Sequence, residues 1–153
     1  MRTTIDKYLG YFLAALLALM TLDVLWGVFT RYALGGQASW SEELARFLLI
    51  WIGILGAAYA SGQGMHLAIE LLLPKLEPKR QRRLLSFINL LIMGFALAVL
   101  VVGGLRLMYI THTLEQLSPA MQIPMAGVYA VLPLSGLLVM YYKAMDFIQL
   151  QKA

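Results

Sequence analysis

No cysteine occurs in this sequence, and charged residues make up only 13% of it. The absence of cysteine excludes disulfide bonds, thiolate catalysis and cysteine-ligated metal sites. The charged fraction is far below the roughly 25% of a typical soluble domain, whereas apolar residues account for 61% of the 153 positions. Because no polar stretch is long enough for a separate soluble domain, the sequence predicts an all-α integral membrane protein with a single membrane domain over residues 1–153.

Acidic residues are also scarce, and the surplus of basic residues gives the chain a formal charge of +4. In a soluble protein this surplus would suggest a nucleic-acid partner, but here the basic residues lie in short segments beside apolar runs, where they set membrane topology. The sequence also lacks a nucleophile–base pair, a phosphate-binding loop and the ligand spacing of a metal site. It therefore predicts no enzyme activity, no cofactor and no nucleic-acid partner.

Four apolar runs have the length of transmembrane helices, at about residues 8–29, 41–60, 84–110 and 124–142. Pro78 and Pro124 suit the starts of the third and fourth helices, and Pro133 predicts a kink within the fourth. Between the second and third runs, residues 66–74 read HLAIELLLP, which is apolar but too short to span a bilayer. This segment predicts an amphipathic helix that lies in the membrane interface.

The basic residues are distributed unevenly between the two sides of this four-span arrangement. One side holds Arg2, Lys7, Lys75, Lys79, Arg80, Arg82, Arg83, Lys143 and Lys152, and the other holds Arg31, Arg46 and Arg106. Since cytoplasmic segments are enriched in Lys and Arg, the first side and both termini are predicted to be cytoplasmic. His66 and the basic run at 79–83 are then expected at the cytoplasmic membrane surface, where the run also favours contact with anionic lipids.

The second span begins with SWSEELARF at residues 39–47. Ser39 and Glu42 have the spacing of a capping box, which predicts a helix start near Trp40. Trp40 is an aromatic residue of the kind found at membrane interfaces. Glu42, Glu43 and Arg46 are three and four residues apart, so we expect them to share one helix face.

Small residues recur four positions apart further along the second span. Gly53 precedes Ala57 at this spacing, and Gly56 precedes Ala60. Such pairs let another helix backbone approach closely in lipid.

Several charged side chains of three different spans are predicted to lie near the outer membrane surface. Together with the neighbouring tryptophan they form the outer charge cluster, which comprises Asp23, Arg31, Trp40, Glu42, Glu43, Arg46 and Arg106. Because isolated charges in a bilayer are costly, some of them are predicted to pair across helices, and Arg106 with Asp23 is the best candidate pair. The cluster fits either a structural ion-pair network or contact with a protein partner at the outer leaflet.

Three segments carry an ordered combination of residues. These are Trp40, Glu42, Glu43 and Arg46 in SWSEELARF, Trp51 and Gly56 with the run GAAYASGQGMHLAIELL, and Pro119, Pro124, Tyr129 and Pro133 in SPAMQIPMAGVYAVLPLSG. In this combination the chain resembles the small membrane subunit of tripartite ATP-independent periplasmic (TRAP) transporters, the DctQ-like family. The resemblance covers nearly the whole chain from Arg31 onward.

The resemblance implies a heterodimer in the bacterial inner membrane with a much larger, many-helix transport subunit. A soluble periplasmic substrate-binding protein would deliver the substrate transiently. In that family the large subunit moves its substrate together with sodium by an elevator motion, and the small subunit is similar to a static scaffold. The substrates implied are small organic acids of the sialic acid or dicarboxylate class.

Two other functions remain open on the sequence alone. A stand-alone four-helix proton-coupled multidrug exporter would use a membrane acid in its first span, as Asp23 is placed. A membrane anchor of an oxidoreductase would use histidines as haem ligands, but His66 and His112 are predicted on opposite membrane faces, where one haem cannot join them.

Overall fold

The computed structural model describes residues 2–36, 38–63 and 78–152. Four helices in it are long and apolar enough to cross a membrane, namely Thr3–Ala33, Ser39–Gly62, Arg80–Thr113 and Met125–Ile148. The prediction of an all-α fold with four helices of membrane-spanning length and apolarity is thus confirmed for the described residues. The predicted interfacial helix at 66–74, including His66, lies outside the described residues.

The first two spans are single helices, α1 (Arg2–Ala33) and α2 (Ser39–Gly62). The third span runs through three consecutive segments: α3 (Pro78–Phe95), a π-helical segment (Ala96–Gly103) and α4 (Gly104–Thr113). The fourth span consists of α5 (Met125–Tyr129) and α6 (Val131–Lys152). The first three spans extend beyond the predicted apolar runs at both ends, and the fourth begins one residue later than predicted and extends further at its end.

Proline explains where the third span begins and where the fourth is interrupted. Pro78 is the first residue of α3, where a missing N–H costs no helical hydrogen bond. Pro124 caps α5. The fourth span breaks at Ala130, because Pro133 can donate no hydrogen bond to the Tyr129 carbonyl and its ring crowds the preceding turn.

The predicted capping box at the start of α2 does not form. The N-cap is Ala38, which makes no side-chain cap hydrogen bond, and Ser39 is already the first helical residue. The Ala38 carbonyl instead accepts a hydrogen bond from the Ser41 amide at 3.0 Å. The predicted helix start was therefore nearly right, but the capping interaction was wrong.

The spans follow one another in the order first, second, fourth, third. Among the described residues, α1 packs extensively only on α2, α2 packs on α6, and α6 packs on α3 and the π-helical segment. The fourth span is central, with 33% of its most apolar stretch buried, against 11% in the third span at the end of the row. This arrangement leaves broad apolar faces uncovered, as expected for a protein that meets lipid or another membrane chain.

Small residues allow the central helices to approach. Ala58 of α2, Ala96 of the π-helical segment and Val139 of α6 form a buried core. A Cβ atom at Gly136 would lie 2.8 Å from the Leu100 Cβ, so the glycine is required for the contact between α6 and the π-helical segment. The described spans do not use the glycines of the paired small residues of α2: a Cβ atom at Gly53 or Gly56 would meet no atom within 4 Å, and the buried small residues of α2 include Ala58 instead.

We expect Gly136→Ala to lower the free energy of unfolding by about 1–3 kcal/mol, because the added methyl group overpacks the contact with Leu100. The matched control is Gly53→Ala, which adds a methyl group in open space and should be neutral or stabilising by up to about 1 kcal/mol. Chemical denaturation in detergent micelles measures both. Equal stabilities for the two variants would contradict the close approach at Gly136.

Candidate functional site

A buried polar contact joins the first two spans. The Ser41 hydroxyl, in the first turn of α2, donates a hydrogen bond to Asp23 Oδ1 at 2.9 Å and lies 3.2 Å from the Asp23 carbonyl oxygen. Ser41 is 2% exposed and Asp23 is 7% exposed. Hydrogen bonds to a charged group are worth more than neutral ones, and more so where water is excluded. The contact therefore fixes the axial position of α1 against the start of α2.

A second contact joins α2 to the loop between the third and fourth spans. Glu43 Oε2 accepts hydrogen bonds from the backbone amides of Ala120 at 3.0 Å and Met121 at 2.7 Å. Glu43 is 7% exposed, so this carboxylate exchanges its hydration for two amide donors. The start of α2 is thereby tied to the far end of the row of spans.

The loop at 114–124 is itself compact. The buried side chain of Ser118 accepts a hydrogen bond from the Ile123 amide, and the Ser118 amide donates to the Ile123 carbonyl. Gln122 has a φ of 55°, a left-handed conformation that turns the chain back toward α5. These internal bonds and this turn present the Ala120 and Met121 amides together to Glu43.

Trp51 makes a polar contact deeper within the second span. Its indole Nε1 donates a hydrogen bond to the Val128 carbonyl of α5 at 3.1 Å, close to the break at Ala130. Trp51 is half-buried, and an indole N–H that is shielded from water needs such an acceptor. Trp51 thus connects the second and fourth spans, whereas Trp40 is exposed at the start of α2.

The opposite ends of the helices carry another set of contacts. The Tyr142 hydroxyl donates a hydrogen bond to Asp6 Oδ1 at 2.6 Å, and the Tyr142 ring covers Gly62, where a Cβ would lie 2.8 Å away. Lys143 is buried and lies 3.4 Å from Asp146 Oδ2. The contacts of Tyr142 tie the first, second and fourth spans together a second time.

The polar contacts therefore form two levels. The upper polar level comprises Asp23, Ser41, Glu43 and the loop at 114–124, and the lower polar level comprises Asp6, Gly62 and Tyr142. At about 1.5 Å per helical residue, the two levels are about 26 Å apart along α1 and about 32 Å apart along α2. This separation matches a hydrocarbon layer of roughly 30 Å, so the polar contacts lie where the apolar layer ends.

A cleft of about 440 Å³ opens between α1 and α2 at the upper polar level. Its charged lining consists of Asp23, Arg31, Glu42 and Arg46. Glu42 and Arg46 share this face of α2 as predicted, but Glu43 does not, because its carboxylate is bonded to the loop. The structure thus divides the outer charge cluster into a cleft, a loop contact and the separate residue Arg106.

The predicted pair of Arg106 and Asp23 does not form. Asp23 is bonded to Ser41, Arg106 is exposed on α4, and within the described ranges no ion pair joins an acid of the outer charge cluster to one of its arginines. The physical reason is the order of the spans, which places α1 and the third span at the two ends of the row. Arg80, Arg82 and Arg83 are exposed in α3, as expected for a basic run at a membrane surface.

Three contacts escaped prediction, two because the partner is a backbone group and one because the partner side chain is distant in the sequence. Glu43 bonds to backbone amides, Trp51 bonds to a backbone carbonyl, and Asp6 bonds to a tyrosine far away in the chain. Among the described residues, no group of three or more His, Asp or Glu side chains could hold a metal ion. The arrangement holds helices in register, and its open cleft is suited to binding.

We expect Glu43→Ala to release the loop at 114–124, because the Ala120 and Met121 amides lose their shared acceptor. Hydrogen exchange at these two amides should accelerate at least about ten-fold, and the free energy of unfolding should fall by about 1–3 kcal/mol. Glu42→Ala is the matched control, since Glu42 is exposed and gives the loop no acceptor. Unchanged exchange in Glu43→Ala would show that the loop holds its shape without the carboxylate.

Comparison with known proteins places these features in a family. Residues 9–153 match the family model of the tripartite ATP-independent periplasmic transporters, DctQ component. A Haemophilus influenzae protein assigned as a TRAP transporter small permease is 30% identical over 135 residues, which is 88% of this chain and 82% of that protein.

For two further relatives, the match to this chain covers a smaller share of the relative's own length. The sialic acid TRAP transporter small permease protein SiaQ of Vibrio cholerae is 33% identical over 60% of this chain and 50% of its own. The isethionate TRAP transporter permease protein DctMQ of Oleidesulfovibrio alaskensis is 31% identical over 79% of this chain, which covers 19% of that protein. These relatives are transporter subunits, and they do not favour the exporter or the oxidoreductase anchor. The chain, a multi-pass membrane protein, therefore belongs to the DctQ component family and is the small permease subunit of a TRAP transporter.

Proposed function

We propose that this subunit is a single membrane domain, over residues 1–153, that acts as the fixed scaffold of the transporter. The observation that carries the proposal is the order of the spans, which lie side by side with broad apolar faces uncovered. Such a row offers a wide surface to another membrane protein and to lipid. The polar levels at both ends oppose sliding of the spans against one another, because sliding would break these hydrogen bonds and leave buried polar groups without partners.

The partner in this proposal is a large, sodium-coupled membrane subunit that moves by an elevator motion. A domain that moves by an elevator motion changes its depth in the bilayer. The scaffold that holds it must therefore stay at a constant depth. The part of the relative named DctMQ that matches this chain is only 19% of that protein. The remainder leaves room for a larger membrane component, which supports a large partner subunit in the same transporter. A periplasmic substrate-binding protein would deliver the substrate from outside.

The substrate class that we propose is small organic acids, of the sialic acid or dicarboxylate type. The Vibrio cholerae relative is named for sialic acid and the Oleidesulfovibrio alaskensis relative for isethionate, which are both organic acids. The substrate path would belong to the large subunit, because the four spans described here pack as a row.

We place the protein in the bacterial inner membrane with both termini in the cytoplasm. The exposed arginines of α3, the neighbouring Lys79 and the predicted interfacial helix at 66–74, which includes His66, would then contact cytoplasmic headgroups. Trp40 and Arg106 are exposed at the outer end and are available to the large subunit. Asp23 and Glu43 have a structural role in this proposal.

Reconstitution of the two membrane subunits tests the scaffold function. Proteoliposomes with both subunits and the binding protein should accumulate radiolabelled sialic acid or succinate under an imposed sodium gradient, and the tagged small subunit should copurify with the large one. Vesicles that lack this chain should show uptake near background. Full uptake by the large subunit without this chain, or uptake by this chain alone, would rule out the scaffold.

The orientation can be tested directly because the chain contains no cysteine. In intact cells, an impermeant maleimide should label Gln116→Cys in the outer loop and should leave Thr3→Cys unlabelled until the membrane is permeabilised. Both positions are exposed, so access depends on the side of the membrane. The reverse labelling pattern would place the termini outside.

A further inference from the structure

The cleft between α1 and α2 contains an unsatisfied buried oxygen. Asp23 Oδ1 accepts a hydrogen bond from Ser41, but Oδ2 is buried and has no hydrogen-bond donor in the described part of the chain. A buried carboxylate without full pairing is costly, because its hydration has been lost. Since Asp23 lines the cleft, a ligand that enters it can supply the missing donor.

The charges around the cleft balance. Its lining contains two carboxylates, Asp23 and Glu42, and two guanidinium groups, Arg31 and Arg46, so its formal charge is zero. A ligand with a single charge would meet like charges as well as opposite ones. A zwitterion can place its cation at the carboxylates and its anion at a guanidinium group, and thus complements both pairs.

The charges also have an order along the membrane normal. Ser41 bonds to Asp23, so these residues and Glu42 lie at one level, and Arg46 lies about one helical turn further toward the hydrocarbon. Arg31 lies about two turns beyond Asp23 in the opposite direction. From the hydrocarbon outward, the cleft therefore presents a cation, then two anions, then a second cation at its mouth.

This order matches a phospholipid whose headgroup ends in an ammonium group. In such a lipid the acyl chains are deepest, the phosphate follows, and the ammonium is outermost. The apolar surface below the cleft is open to acyl chains, since Leu19 of α1 is 55% exposed and Leu49 of α2 is 58% exposed. Both residues lie about one turn toward the hydrocarbon from the charged residues of their helices.

We propose that this cleft is a binding site for an ethanolamine phospholipid. Arg46 binds the phosphodiester, and the primary ammonium donates hydrogen bonds to Asp23 Oδ2 and Glu42. The site requires N–H donors, because Oδ2 is an acceptor that lacks one. A choline headgroup carries the same charges but has no N–H, so it cannot satisfy this oxygen. The bound lipid would seal α1 to α2 at the upper polar level.

Native mass spectrometry of the purified full-length chain tests this site with two lipids of equal acyl chains, phosphatidylethanolamine and phosphatidylcholine. We expect the ethanolamine lipid to bind at least about ten-fold more tightly, the ratio given by one hydrogen bond to a charged group. Equal affinities for the two lipids would overturn the proposal.

Two variants test the contacts of the ammonium group and of the phosphate group separately. Asp23→Asn should reduce the preference for ethanolamine, because only Glu42 is then left as a carboxylate acceptor for the ammonium, whereas Arg46→Gln should weaken both lipids by at least about ten-fold, since both carry the phosphate. Arg106→Gln is the matched control, because it removes an exposed arginine outside the cleft and should change neither affinity. Circular dichroism and gel filtration establish that each variant is folded. Arg46 is exposed, so its variant tests the site even if Asp23→Asn does not fold.

Competition identifies the source of the ligand. Free phosphoethanolamine at the same concentration should fail to displace the lipid, because it lacks acyl chains; displacement would assign the site to a soluble zwitterion and overturn the lipid assignment. If instead copurified large subunit displaces the lipid and Asp23→Asn abolishes that subunit's binding, the cleft takes a basic side chain of the partner. That result would also overturn the proposal.

Discussion

A polar group that is shielded from water at the edge of the hydrocarbon layer needs a hydrogen-bond partner, and this constraint governs the structure of the subunit. The buried acids Asp23 and Glu43 are not paired with arginines, and they accept hydrogen bonds from a hydroxyl and two backbone amides. These donors are fixed by the fold, so the carboxylates hold α1, α2 and the loop at defined positions. The order of the spans then determines which charges can meet, and it keeps Arg106 away from Asp23.

The row of spans and the two polar levels together suit a protein that acts as a rigid scaffold. Packing in the membrane interior is sparse, and it depends on a few small residues such as Ala58, Ala96 and Gly136. In lipid, helix association gains little from burial of apolar surface, so close contact and hydrogen bonds carry a larger share of it. A subunit built this way can keep its own shape while much of its apolar surface remains available to a larger neighbour.

The main features of the fold could be predicted from the sequence because apolar runs and proline act locally. Four runs of spanning length gave four helices, and Pro78 and Pro124 mark helix starts as expected. Contacts between spans could not be predicted in the same way, because the sequence does not state which spans are neighbours. The spacing of Gly53 and Ala57 is typical of helix packing, yet this face of α2 is open, and the contact partners of Glu43 are amides that every residue type except proline offers.

The π-helical segment at Ala96–Gly103 has a consequence for the two halves of the third span. A regular α-helix rotates by about 100° around its axis for each residue. The π-helical segment has more residues in each turn, so each residue adds a smaller rotation. The segment therefore sets the angular offset between the side chains of α3 and those of α4. Removing a single residue there would rotate the whole far half of the span, with Arg106 and the following loop, while every apolar position kept its hydropathy. The direction in which Arg106 faces thus depends on the helical phase of the third span, and this phase cannot be deduced from the pattern of charged residues.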